Sequence, residues 1–229
     1  MNNVNPVISA RNLQKSYGHG TVKSEVLKGL EIDVRKGEFL AIMGPSGCGK
    51  STLLYVLGLM TPQDGGTVDI EGTTVPSGEQ VRTFIRRNTI GFVFQRFNLI
   101  SSLSGEDNIK ISLKVRGMAE NGRTAAVMEQ LGIMEAAKRK PSEMSIGEQQ
   151  RFAIARAMAH DPAIIMADEP TGNLDRGNTE KLLVSFREIH ESRNHTILMI
   201  THDPHVASCT DRILYMADGR LHKSETQPS

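Results

Sequence analysis

The stretch EFLAIMGPSGCGKST, residues 38–52, decides the fold. Its apolar run, Phe39 to Met43, has the length and content of a buried strand, and a helix is expected from about Lys50. The turn between them carries Gly44 and Gly49 with four residues in between, followed by Lys50 and Ser51, which is the phosphate-loop pattern. Glycines let successive N–H groups turn inward and form a nest for phosphate oxygens. Pro45, Ser46, Gly47 and Cys48 complete the nest, and Thr52 follows into the helix. Lys50, expected to face solvent at the loop, adds a point charge at the outer phosphates, and the Ser51 hydroxyl can join a magnesium ion. Cys48 reads as a small filler whose backbone N–H matters more than its thiol.

A phosphate loop needs a partner carboxylate, and AIIMADE, residues 163–169, supplies two. A buried strand ends there in Asp168 and Glu169. In open α/β sheets the ligand sits beyond the carboxyl ends of the strands, so both acids are expected beside the loop. Asp168 is assigned to magnesium through water. Glu169 is placed to polarise an attacking water as general base. Gln95, ending IGFVFQ (90–95), and His202, following TILMIT (196–201), are strand-end polar residues on the same edge. Tyr17, after the first strand, offers a ring for stacking on a base.

Outward from these motifs, the chain alternates strand and helix signals. VISARNLQKSY (7–17) and EVLKGLEIDV (25–34) read as an antiparallel pair joined through the glycines of YGHG. Residues 104–139 read as helices with Ser104 and Asp107 at an N-terminal cap, residues 177–192 as another helix, and RILYMA (212–217) as a last strand. Near-continuous apolar strands separated by helices imply a parallel sheet covered on both faces. The expected class is α/β.

The 229 residues hold 38% hydrophobic and 23% charged residues, with 27 basic against 26 acidic. No overall field favours nucleic acid. No apolar segment approaches the ~18 residues of a membrane span, and the first residues lack the basic-then-apolar order of a secretory signal. Cys48 and Cys209 fit no metal spacing. A reduced, cytoplasmic setting is expected.

One helix start poses a question. In SEMSIGEQQRFAIARAMAH, residues 142–160, Ser145 and Glu148 form a capping box. Yet the first turn carries Gly147, which costs on the order of 1 kcal/mol against alanine within a helix. Either the glycine is a packing accident, or an anion approaches the free N–H groups.

The order of phosphate loop (44–51), Gln95, MSIGEQQR (144–151), IIMADE (164–169), NLD (173–175) and THD (201–203) resembles an ABC-type ATPase over about residues 7–220. Within that family, FQRFNLI, ADEPTGNLD and EVLKGLEIDVRKGEFLAIMGPSG look like the group of lipoprotein-releasing, macrolide-exporting and cell-division ATPases (LolD, MacB, FtsE). The resemblance implies one domain: a P-loop NTPase with a mixed sheet core, an N-terminal antiparallel β subdomain and a helical insertion. By it, residues 1–95 and 160–220 form the ATP-binding core, 96–159 the helical subdomain with the signature, and 221–229 a polar tail.

The resemblance further implies a homodimer with ATP and Mg2+ between head-to-tail subunits. Tyr17 would stack on adenine and residues 44–52 bind phosphates. Ser51 and Gln95 would take magnesium, with Asp168 in its outer sphere. Glu169 would be the base, His202 the γ-phosphate sensor and Asp175 the link between subunits. Ser145, Gly147 and Glu148 would face the partner's γ-phosphate. The signature departs from the family's Leu-Ser-Gly-Gly at Met144 and Ile146, and the β-branched Ile146 restricts the backbone there. An ATPase moving a separate integral membrane permease at the inner face of the cell membrane is the implied function. A soluble ABC ATPase of an assembly pathway, and a nucleotide-binding regulatory module with weak hydrolysis, stay open. A phosphate-loop kinase or switch would share residues 44–51 and Asp168 but has no reason for SIGEQQR or NLD.

Overall fold

The computed structural model describes residues 6–18, 23–193 and 195–223. The chain opens with β1 (Pro6–Tyr17), β2 (Ser24–Arg35) and β3 (Phe39–Met43), then α1 (Lys50–Leu57), β4 (Gly65–Ile70), β5 (Thr73–Thr74), α2 (Glu79–Thr89) and β6 (Ile90–Val93). Next come α3 (Gly105–Val115), α4 (Arg123–Gln130), two short 3-10 turns, and α5 (Ile146–Met158). The last part holds β7 (Ile164–Asp168), α6 (Arg176–Arg193), β8 (Thr196–Ile200), α7 (Pro204–Ala207), β9 (Arg212–Ala217) and β10 (Arg220–Lys223).

Two sheets organise these elements. One is antiparallel, in the order β2-β1-β4-β5; the other runs β10-β9-β3-β8-β7-β6. In the second, β9, β3, β8, β7 and β6 are mutually parallel and only β10 is antiparallel. The fold is therefore α/β with a mixed central sheet beside an antiparallel one. Side-chain alternation shows why the parallel strands are apolar without a break. Leu40 and Ile42 of β3, Ile164 and Met166 of β7, and Leu198 and Ile200 of β8 pack toward α1 and the antiparallel sheet. Ile165, Ala167, Ile197 and Met199 point to the other face, where α3, α4, α5 and α6 lie. Both faces are dry there, so every residue of β3, β7 and β8 is buried.

Sequence patterning is silent for residues 61–89, where the structure places β4, β5 and α2. The reasons are local. β4 begins with two glycines and buries only Val68 and Ile70 fully, while α2 buries only Arg82. A weak apolar period leaves little to read. Residues 221–223, expected in the polar tail, instead pair with β9 as part of β10. The rest of that tail, and His19 and Gly20 of YGHG, lie outside the described residues.

All the parallel strands deliver their carboxyl ends to one edge. The phosphate loop follows β3, Asp168 ends β7, and His202 lies two residues past β8. Gln95 was expected to end its strand, but β6 stops at Val93 and Gln95 stands in the following turn.

Candidate functional site

Helix α1 starts without a side-chain cap. Its N-cap residue, Gly49, has φ 107° and makes no side-chain hydrogen bond. No acidic residue occupies the first turn, so its free N–H groups and dipole face an open, anion-ready space. Gly44 has φ 153°, and a Cβ there would lie 2.1 Å from the Met216 carbonyl oxygen. The loop thus lies flat against β9 with no room for a side chain. Lys50 departs from expectation. It is only 6% exposed, and its ammonium donates to the carbonyls of Gly44 at 2.8 Å and Pro45 at 2.9 Å. The loop's own carbonyls pull the cation inward, where it closes the loop.

Ser51 and Asp168 are 117 residues apart in sequence, yet the Ser51 hydroxyl donates to Asp168 Oδ1 at 3.1 Å. The second carboxylate oxygen accepts from the Tyr55 hydroxyl at 2.7 Å. Burial first, then the hydrogen bond and charge of Asp168, push the Tyr55 phenol far above its usual range. The donor set of Ser51 and Asp168 is hard and entirely oxygen, which suits magnesium. These two residues would hold it, Asp168 at one remove. The metal supplies charge neutralisation at the phosphates.

Glu169 holds a left-handed backbone, φ 45°, which few non-glycine residues adopt and which concentrates at functional sites. The conformation is anchored: its N–H donates to the Ile200 carbonyl at 3.0 Å. Its side chain reaches His202, with Oε2 3.3 Å from Nδ1. Glu169, His202 and Asp168 are thereby gathered at the ends of neighbouring strands.

The Gln95 side chain lies against Gly172, where a Cβ would come within 2.9 Å of its amide nitrogen. Asn173 donates to the Gln95 carbonyl at 2.8 Å. The segment after β6 is therefore tied to the segment after Glu169. Tyr17 is exposed at 46%, with Lys15 Nζ 5.5 Å from its ring centroid. It ends β1 opposite Ser24 of β2, and Val26 of β2 packs on Gly49. Tyr17 so stands two residues along β2 from the strand position that touches Gly49.

At the start of α5 the expected capping box is formed. Ser145 Oγ accepts from the Glu148 N–H at 3.2 Å, and Glu148 accepts from the Ser145 N–H at 2.8 Å. The Ser145 hydroxyl also donates to Glu148. Those bonds hold the Glu148 carboxyl below its ordinary range. Gly147 now has an explanation within the chain: a Cβ would meet Asn178 Oδ1 at 2.7 Å. Asn178 in turn donates to Asp175 from both its backbone and its amide at 2.8 Å, bonds that lower the Asp175 pKa. Ile146 is the first helical residue and 51% exposed. Helical backbone suits it, and its side chain projects outward.

Sequence reasoning missed Tyr55 and Asn178. Both carried a signal in their spacing: Tyr55 lies one helical turn after Ser51, and Asn178 three residues after Asp175. It also missed a groove of about 460 Å3 between β6, α2, α3 and α5, lined by Phe92, Phe94, Val115, Arg86, Arg116 and Arg156 among others. Arg156 there bonds the backbone carbonyls of Phe97 and Asn98. Burial lowers the pKa of its guanidinium.

A family model described as "ABC transporter" matches residues 27–172. The bacitracin export ATP-binding protein BceA of Halalkalibacterium halodurans is 40% identical over 220 residues, covering 94% of this chain and 87% of the relative. The macrolide export ATP-binding/permease protein MacB of Aggregatibacter actinomycetemcomitans is 38% identical over 225 residues. That match covers 96% of this chain but 35% of the relative, so the chain spans about a third of MacB. Among solved structures, the dimeric ATP-binding cassette MJ0796 in a post-hydrolysis state bound to ADP and Pi superposes with a TM-score of 0.87. It is 35% identical, covering 96% of this chain and 100% of that one. Among the described residues no helix is long and apolar enough to cross a membrane. A glycine-rich loop before α1, a strand-end carboxylate pair and a capped start of α5 occur here in one chain with these likenesses: the chain belongs to the ABC transporter family, as its ATP-hydrolysing cassette.

Proposed function

We propose that two copies of this chain bind Mg-ATP head to tail between them, and that hydrolysis drives a separate membrane permease of the lipoprotein-release and macrolide-export type. The observation that carries the reading is the meeting of Ser51 and Asp168 at 3.1 Å, with Glu169 turned into a left-handed backbone one residue on. In this reading the uncapped start of α1 and Lys50 take the phosphates. Glu169 accepts the proton of the attacking water. His202, 63% exposed at its side chain and 3.3 Å from Glu169, orients that carboxylate and meets the γ-phosphate. Gln95 and the tied segment at 172–173 relay the state of the site into the helical region. Tyr17 stacks on adenine, and Asp175 joins the subunits. Ser145, Gly147 and Glu148 present the start of α5 to the partner's phosphate.

The coupling surface in this account is the arginine-lined groove, which takes in Phe92, Phe94 and Asn98 on either side of Gln95 in the chain. Its floor carries the stacked rings of Phe92 and Phe94, 5.6 Å apart, and Val115 stands exposed beside it. An apolar floor under a basic rim suits a cytoplasmic segment of a permease. The protein would then sit peripherally at the inner face of the cell membrane. The BceA and MacB names, an export ATP-binding protein and an ATP-binding/permease protein, support the transporter reading over a soluble assembly ATPase. Two measurements test it together. The purified chain should hydrolyse ATP only with Mg2+, and affinity capture of the chain from detergent-solubilised membranes should retain a multi-span protein. A chain that hydrolyses ATP but retains no membrane protein would return the assembly ATPase.

A further inference from the structure

Asp168 is gripped by one face of α1. Ser51 and Tyr55 lie four residues apart, so both hydroxyls project from the same side of the helix. One donates to Oδ1 and the other to Oδ2. A carboxylate pinned at both oxygens by donors on a rigid element cannot rotate about its last torsion. We propose that Tyr55 is a positioning residue for the magnesium site: its hydroxyl holds Oδ2 of Asp168, so that Oδ1 alone is presented to Ser51 and the metal.

The arrangement differs from a packing accident in three ways. The phenol oxygen is 2.7 Å from Oδ2, the short length expected of a hydrogen bond to a charged acceptor. Asp168 itself is only 7% exposed, so water has little access to replace the lost donor. Finally, the backbone carbonyl of Tyr55 accepts from the N–H groups of Met60 and Thr61 at 2.8 and 3.1 Å. The end of α1 is therefore fastened where the tyrosine emerges, and its ring packs against the core below the central sheet. With Oδ2 occupied by a proton donor, the carboxylate is kept from turning both oxygens to the metal.

The inference rests on the magnesium-ATPase reading above, and the test separates the two. Mg2+ affinity is measured by isothermal titration into the full-length chain saturated with the β,γ-methylene analogue of ATP. Nucleotide affinity in EDTA and thermal melting are recorded alongside. Tyr55→Phe, which keeps the ring in place, should weaken Mg2+ binding roughly tenfold, the scale of one hydrogen bond to a buried charge. Metal-free nucleotide binding should stay within about twofold, because the Tyr55 hydroxyl donates to the Asp168 carboxylate. In an Asp168→Asn background the same change should cost less than about twofold, since the group it acts through is already altered. Equal losses in both backgrounds would overturn the proposal in favour of a general packing role. Unchanged Mg2+ affinity in Tyr55→Phe would show that Ser51 alone sets the carboxylate. A wild-type chain with no Mg2+-dependent nucleotide binding would instead remove the underlying reading, and this inference with it.

Discussion

Glu169 sits in a backbone region that costs a non-glycine residue on the order of 1–3 kcal/mol, and the chain meets that cost one residue after a fully buried strand. The strain aims a carboxylate at the strand ends instead of along β7, within reach of His202. If that carboxylate takes the proton of the attacking water, Glu169→Gln should keep Mg-ATP binding and lose at least ~100-fold in hydrolysis rate. A steady-state phosphate-release assay decides it; a rate within threefold of wild type would remove Glu169 from the role. Lys50 shows how a correct motif can hide a wrong environment. Its place in the pattern was plain from the sequence, but its burial was not, because the acceptors are backbone carbonyls of Gly44 and Pro45 that no residue type announces.

At the scale of elements, α5 links two readings of one glycine. The capping box was legible because Ser and Glu three apart before an apolar period have a single local solution. The reason for Gly147 was not legible, because Asn178 approaches from α6, more than thirty residues on. Gly147→Ala should therefore lose about 1 kcal/mol net of stability in urea unfolding. The steric conflict with Asn178 Oδ1 outweighs the helix-propensity gain. In an Asn178→Ala background the same substitution should be neutral or stabilising. A loss of equal size in both backgrounds would mean that Asn178 is not what excludes the side chain. The strands β3, β7 and β8 were the most readable elements, since dryness on both faces makes them apolar throughout. The weakly patterned β4, β5 and α2 were unreadable for the opposite reason: each buries only part of one side.

Across the whole molecule, one core runs on each face of the central sheet, and several titratable side chains are buried, His160 among them. His160 follows α5, is 5% exposed, and neither ring nitrogen has a hydrogen bond of good geometry. Burial, with the charge of Arg116 adding to it, brings its pKa from 6.5 down to about 4, against a smaller opposing effect of the Ile90 backbone. The folded ring resists a proton that the unfolded ring accepts. Its contribution to stability is thus complete above about pH 6.5 and is lost as pH falls toward 4. Between pH 7 and pH 5 the chain should lose about 2 kcal/mol from this residue, and His160→Met should remove that part of the slope. An identical slope in the variant would show that other groups carry the acid sensitivity.

In the proposed dimer each ATP site is shared between two copies, with a phosphate loop from one and the start of α5 from the other. Ser145→Arg would block the second contribution and Lys50→Ala the first, with circular dichroism recorded to check that both chains fold. The decisive measurement is the ATPase rate of each variant alone and of the two mixed in equal amounts. Each should be nearly inactive alone. The mixture should regain activity, because the intact loop of the Ser145→Arg chain then faces the intact signature of the Lys50→Ala chain. Hydrolysis by Ser145→Arg alone at the wild-type rate would contradict the shared site and leave the capping box as a helix start with no partner across it.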